Sequence, residues 1–462
     1  MNGDLPRRIG VVGAGAIMVG VMIGSGIYRT PPIIAQHLLS PAWILALWTA
    51  GGALSLAGAL TYAELASMYP RSGGVYVFLH QGLGPAVAFV FGWTYMLITK
   101  PFAAAGIAVI FSEHLLALGG LRQADPWIQA LAVNGITTVA LVVLTVINVR
   151  GVGIATNIAK ALTGFKMLAL AAIVLLAVVL WKGDAGHFQA APPPEPILRA
   201  LAPVMLAILW TYDGWSDVGA IAGEIEEPQK NIPRVFVLGT VSVTALYVAA
   251  NAVYIWLVPL LEMKDLDTVA PLVMHRLLGP AAAAAVTAII VVSTIGSSHA
   301  SVLTGARVTF AQARDGLLFR FLGRIHPRYE TPAVALWLQL ALSCVALWHP
   351  MLLGRTEASP FQRLADGFTF TMWIFYGLAA IAIFVLRVEE PDVPRPYRCW
   401  GYPVVPGLFV LASAGMTVLT VVGDVTDPGS RGSSTLPMLA ILAAGFPMYF
   451  VWRRFVPEAP DQ

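Results

Sequence analysis

Polar positions in this chain are sparse, and the apolar stretches between them are long enough to cross a bilayer, which takes about 20 residues. On that measure the pattern predicts about twelve spans: 8–39, 41–68, 84–118, 126–148, 154–181, 200–223, 235–260, 280–312, 332–348, 361–386, 403–422 and 436–455. A proline-rich connector, 191–196, precedes the sixth span, and 268–278 is too short to cross and reads as an amphipathic surface helix. The first span is interrupted at its centre. Residues 5–23 and 27–39 read as helix, with Gly24-Ser25-Gly26 between them, and each glycine in a helix interior costs about 1 kcal/mol relative to alanine. The sixth span carries Tyr212-Asp213-Gly214-Trp215 at its middle, a turn signal that also sets an acid where charge is expensive.

In hydrocarbon an unpaired backbone group costs several kcal/mol, so a broken helix survives only where it lines a cavity or is buried in protein. The alternative for the glycines of the first span is close helix packing through small residues. The second break decides between them. The breaks fall in the first and sixth spans, one odd-numbered and one even-numbered, so the two helices run in opposite directions. Discontinuous helices at matching places in two halves point to a midplane binding site. Amides freed at the start of a half-helix attract anions, and freed carbonyls attract cations. One such break therefore serves both ends of a zwitterion.

The 462 residues are 58% hydrophobic and 11% charged, against about 25% charged in soluble domains. This defines a polytopic membrane protein embedded in the lipid bilayer. The first apolar run is too long for a signal-peptide core and is read as retained. Positive charge gathers at Arg7 and Arg8, at Arg307, Arg314, Arg320, Arg324 and Arg328, at Arg387, Arg395 and Arg398, and at Arg453 and Arg454. With twelve spans all of these share one side, which the positive-inside rule makes the cytoplasm. Both termini are then cytoplasmic. The opposite loops are poorer, holding Arg122, Lys182, Lys264, Arg276, Arg355 and Arg431. Two cysteines, Cys344 and Cys399, build neither a disulfide framework nor a metal cluster. The run Gly10-Val11-Val12-Gly13-Ala14-Gly15 has no preceding strand and is not a dinucleotide loop. The chain carries no HExxH, CxxC, GxSxG or P-loop. No enzyme chemistry, cofactor, metal or nucleic-acid contact is expected.

The motifs Ile23-Gly24-Ser25-Gly26-Ile27-Tyr28, Tyr62-Ala63-Glu64-Leu65, Tyr69-Pro70-Arg71-Ser72-Gly73-Gly74 and Tyr212-Asp213-Gly214-Trp215 appear in this order. Glu227-Pro228-Gln229-Lys230-Asn231-Ile232-Pro233, Gly305-Ala306-Arg307, Ala313-Arg314-Asp315-Gly316 and Arg395-Pro396-Tyr397-Arg398 follow. Together they resemble the amino acid–polyamine–organocation superfamily, in its L-type amino acid transporter branch with bacterial relatives. The resemblance implies an all-α membrane fold: two inverted five-helix repeats, 8–181 and 200–387, plus two further helices, 403–455. It implies a secondary transporter of L-amino acids, most simply a sodium-independent exchanger of small-to-medium neutral ones working by alternating access. A proton-coupled or cationic amino acid carrier of the same fold stays open. A channel or polytopic membrane enzyme is the non-transporter alternative, but repeated pore-lining polar residues or clustered His, Asp or Cys are missing from the sequence.

By the same resemblance, the substrate carboxylate lies on amides at Ser25 and Gly26, beside Gly24 and Thr211, and the ammonium on carbonyls at Ile23, Trp210 and Asp213. Trp210 matches the gate aromatic, and Lys166 and Tyr247 match positions that close or tune the inner gate. Lys166 is expected at the unwound carbonyls near Val21 and Met22 and at the hydroxyl of Ser297 or Ser298, as a fixed charge or a proton carrier. Two positions depart from the pattern: Asp213 stands where animal members often have glycine, and His299 where many have asparagine. The loop after the third span has no cysteine, so no disulfide-linked heavy chain is expected and the chain is expected to work as a monomer. Lys100 reads as structural, pairing with an acid or carbonyls. Glu64 reads as a partner for loop arginines, and Glu113 and His114 read as solvated.

Overall fold

The computed structural model describes residues 5–121, 125–189, 197–354, 360–426 and 435–455. The 191–196 connector, Arg122, Arg355, Arg431 and both extreme termini lie outside them. Among the described residues eleven helices are long and apolar enough to cross a membrane, and the sixth span adds a shorter apolar half-helix. The regular structure of the described residues is therefore all-helical, as the hydrophobic pattern requires. In order the main elements are α1 (Val11–Met22), α2 (Gly26–His37), α3 (Pro41–Met68), α4 (Val75–Thr94) and α5 (Lys100–Leu118). Then come α6 (Pro126–Val149), α7 (Val152–Leu180), α8 (Ile197–Tyr212), α9 (Asp217–Ala220) and α10 (Pro228–Leu257). The short α11 (Leu260–Met263) and α12 (Ala270–Leu278) follow, then α13 (Pro280–Arg314), α14 (Ala333–Leu352), α15 (Phe361–Glu389), α16 (Val404–Thr426) and α17 (Thr435–Phe455).

Both expected breaks are present. α1 and α2 form one interrupted span, and α8 and α9 form the other. Gly214 turns the second break at φ +108°, a conformation that favours glycine. Two boundaries differ from the hydrophobic pattern. Helix begins at Val11 rather than Leu5. The amides of Arg8 and Ile9 both donate to the carbonyl of Glu224 at 2.9 Å, and the amide of Glu226 donates to Ile9 at 2.9 Å. Tertiary pairing thus satisfies this backbone in extended form, and apolar character alone does not reveal it. The third span also starts early. Its helix opens at Val75, kinks at Gly84 before Pro85, and widens into a π turn over Tyr95–Thr99 just ahead of Lys100-Pro101. Pro101 has no N–H to return to the preceding turn, which a wider turn accommodates.

The interior is tied by charge at two places on the N-terminal side. Glu224 and Arg307 are both buried and pair at 2.9 Å, Nε to Oε1. Glu64 accepts two hydrogen bonds from Arg387, at 3.0 and 2.7 Å, and one from the amide of Cys399 at 2.6 Å, with Arg395 Nε at 3.5 Å. Glu64 is thus the arginine partner expected of it. Burial pushes the neighbouring Cys399 thiol up to about 11, so it is protonated at neutral pH and chemically quiet.

Candidate functional site

α1 ends at Met22 and α2 starts at Gly26, leaving Ile23, Gly24 and Ser25 between them; Ile23 departs from helical backbone (ψ 78°), and Ser25 has already returned to it (φ −74°, ψ −20°). The last carbonyls of one helix and the first amides of the next lack intrahelical partners. The structure fills most of the carbonyls with side chains. Lys166 Nζ donates to Gly20 O at 2.8 Å and to Ser297 Oγ at 2.7 Å. Ser297 Oγ lies 2.7 Å from Gly20 O and 3.0 Å from Ile23 O. Tyr247 donates to Met22 O at 2.6 Å, and Ser293 lies 3.4 Å from Ile23 O. The carbonyl that Lys166 reaches is therefore Gly20, not Val21 or Met22. A Cβ at Gly20 would stand 2.4 Å from Thr163 Oγ1, so it is the bare backbone of Gly20 that lets α7 come close.

What stays open faces a cavity. Its wall includes Val21, Met22, Gly24, Ser25 and Gly26 from the first break, and Trp210, Thr211 and Asp213 from the second. Lys100, Ala103 and Ile107 of α5, Ser301 of α13 and Phe368 of α15 complete it. The open volume is about 30 Å³, on the scale of one or two ordered waters, so a larger occupant must move lining side chains. The amides of Ser25, Gly26 and Ile27 find no backbone acceptor among the described residues, while those of Tyr28 and Arg29 return to Ser25 O. Gly26 is required where it stands: a Cβ there would lie 2.6 Å from Thr211 Oγ1. The Thr211 hydroxyl in turn lies 2.7 Å from that of Thr30, joining α2 to α8.

Two polar clusters border the cavity. Lys100 Nζ donates to Asp217 Oδ2 at 2.6 Å, and Thr304 Oγ1 donates to the same oxygen at 2.9 Å. The acid expected for Lys100 is thus Asp217. In the other cluster Tyr376 donates to Asp213 Oδ1 at 2.6 Å and exchanges a hydrogen bond with Ser216 at 2.8 Å. Trp210 packs edge-on against Phe361 and Phe368, with ring centroids 5.7 and 5.2 Å apart.

Of the residues singled out in the sequence, Gly24, Ser25, Gly26, Trp210, Thr211 and Asp213 meet at one cavity. Ile23 does not: its carbonyl is held by Ser297, and Val21 and Met22 take its place on the wall. Lys166 and Tyr247 sit behind the break rather than in the cavity, as props for the end of α1. His299 lies outside it too, its Nε2 3.0 Å from Ala155 O and its Nδ1 3.2 Å from Asn148 Nδ2. Glu113 and His114 are not solvated. Glu113 pairs with Arg29 of α2 and its side chain is 13% exposed, and His114 is buried with Nδ1 2.9 Å from Ile110 O. Asp217, Ser301 and Phe368 gave no sequence signal, although an aspartate four residues after Asp213 in an apolar span could have been one.

Two broken helices crossing at a small, backbone-lined cavity inside a many-helix bundle are the architecture of a secondary transporter. The amino acid permease family profile matches residues 9–446, and the chain belongs to that family. It is 31% identical over 452 residues to the Serine/threonine exchanger SteT of Bacillus subtilis, covering 97% of each chain. It is 30% identical over 451 residues to the human Cystine/glutamate transporter, covering 97% of this chain and 86% of the relative. It is also 31% identical over 456 residues to the rabbit Large neutral amino acids transporter small subunit 2, covering 97% and 80%.

Proposed function

We propose that this protein is an amino acid exchanger working by alternating access, with its substrate at the crossing of the two broken helices. The observation that carries this reading is the pair of amides at Ser25 and Gly26, without backbone acceptors among the described residues, at the wall of the cavity. They suit an α-carboxylate at the N-terminus of α2. The α-ammonium goes to carbonyls of Val21, Trp210 and Asp213, with Val21 standing where Ile23 was expected. One relative that is an exchanger by name, the Serine/threonine exchanger SteT, supports the mode of transport. Hydrogen bonds to charged groups contribute about 1.5–3 kcal/mol each, so blocking either end of the zwitterion removes most of the binding. The test is competition against labelled amino acid in proteoliposomes: free L-amino acids compete and their N-acetyl and ester derivatives do not. Equal competition by the derivatives overturns the reading.

Small-to-medium neutral side chains fit best, because the far wall is Ala103, Ile107 and Phe368. A second reading rests on Asp213, whose place on the wall suits a cationic side chain. Uptake blocked by arginine or lysine, and not by serine, threonine, alanine or leucine, would select it. Exchange needs no sodium in this proposal, because Lys166 already supplies a cation at the end of α1. We further place the protein in a bacterial inner membrane with both termini cytoplasmic, built from repeats 8–181 and 200–387 with 403–455 added. It acts alone as a transporter, not an enzyme. Cys344 lies within α14 and Cys399 is buried, positions that suit no tether to a second subunit.

A further inference from the structure

On the side opposite the N-terminus, one ion pair stands over the cavity. Arg29 lies one turn into α2, three residues beyond Gly26, and its Nη1 is 2.5 Å from Glu113 Oε2 near the end of α5. The two side chains are only 21% and 13% exposed. The other carboxylate oxygen, Glu113 Oε1, is buried with no hydrogen-bond partner among the described residues. The pair is thus made by one contact and leaves a second acceptor unmet, an arrangement that releases more readily than a two-pronged bridge. The Arg29 guanidinium also lies 4.6 Å from the ring centre of Phe361, at the start of α15. Phe361 is the ring whose centroid stands 5.7 Å from that of Trp210, and Trp210 lines the cavity. Four residues from four helices therefore run in continuous contact from the outer end of the bundle to the cavity wall.

We propose that Arg29 and Glu113 are the latch of the gate on this face, with Arg29 holding Trp210 over the cavity through Phe361. Arg29 is a positioning residue: it acts on Trp210 through another ring and does not touch the cavity. Release of Glu113 frees the guanidinium from its anchor on α5. A cation resting on an aromatic face is weakly held once it can reach water, so Phe361 and then Trp210 lose their backing. α2 can then tilt from α5 and open the cavity on this side. The opposite face has its own closure in the pairing of Arg8 and Ile9 with Glu224, and alternating access requires that the two release in turn.

The latch rests on the transporter reading, but its test needs no substrate. A cysteine placed at Ala103, on the cavity wall, in a Cys344→Ala background reports access to the cavity by its rate of reaction with a membrane-impermeant maleimide. Intact cells and inverted membrane vesicles present opposite faces to the reagent. Arg29→Ala, and separately the near-isosteric Glu113→Gln, should raise the labelling rate at least fivefold in one preparation and leave the other unchanged. The exchanged pair Arg29→Glu with Glu113→Arg should return it to within twofold of the parent. Labelling rates equal to the parent in both single variants overturn the proposal, as does an equal rise in both preparations, which would report loosening of the whole fold. A parent that fails to exchange any amino acid would remove the functional reading and leave this readout of the gate intact.

Discussion

Lys166 on α7 reaches the backbone of α1 at Gly20, Nζ to carbonyl oxygen, at 2.8 Å. The same ammonium donates to Ser297 on α13, so three helices meet at the point where α1 unwinds. In its protonated form Lys166 complements the negative end of the α1 dipole and fills the Gly20 carbonyl.

Lys166→Ala should therefore lower the initial rate of exchange at least tenfold in sodium-free buffer. Lys166→Met, which keeps the apolar stem, should be impaired almost as much. The measurement is counterflow in proteoliposomes with choline replacing sodium. Full activity in either variant would assign this lysine to packing, and wild-type transport that climbs steeply with sodium would remove it from the role of a built-in cation.

Trp210 rests on Phe361 and Phe368 and lines the cavity. Trp210→Ala should slow turnover by more than tenfold. Its cost in stability should stay below the roughly 3–5 kcal/mol of a fully buried tryptophan, because the residue is only partly buried. Trp210→Phe, which keeps a ring against both partners, should recover much of the rate. Turnover and thermal unfolding measured on the same preparations separate gate from scaffold.

The two glycines of the first break should not behave alike. A Cβ on Gly24 would meet Ser297 Oγ at 3.3 Å, a contact that a small shift relieves, whereas on Gly26 it would meet Thr211 at 2.6 Å. Gly26→Ala must push α2 from α8 and widen the spacing of the amides that face the cavity. Binding of labelled substrate should be lost in Gly26→Ala and fall only a few-fold in Gly24→Ala. Equal affinities would show that the break is not the site.

Glu224 and Arg307 are a fully buried pair, and removing one partner of such a pair typically costs about 3–5 kcal/mol because the other charge is stranded. Arg307→Met and Glu224→Gln should each lower the thermal midpoint in detergent substantially. The double variant should recover part of that loss. Additive losses would mean that the two side chains do not act as a pair.

The hydrophobic pattern by itself determined the membrane class, the number of crossings and the places where two of them break. These follow from local costs: apolar length against bilayer thickness, and glycine or Asp-Gly inside a helix. The family resemblance, not the pattern, singled out Gly24, Ser25, Gly26, Trp210, Thr211 and Asp213, and only the packing of the two breaks brings them to one cavity. The pattern could not say which carbonyls stay open. The resemblance assigns Ile23 to the substrate and the carbonyls near Val21 and Met22 to Lys166, whereas the approach of α13 brings Ser297 onto Ile23 and Gly20 and leaves Val21 on the cavity wall. Glu113 likewise read as a solvated acid, because its partner Arg29 is 84 residues away. The helix beginning at Val11 rather than Leu5 has the same origin, a hydrogen bond to a carbonyl at residue 224. Single-chain periodicity encodes which face of a helix is buried, but it carries no record of what lies against that face. The partner of a buried polar group is fixed only when distant helices pack, since an unmet donor or acceptor there costs more than the local backbone can return.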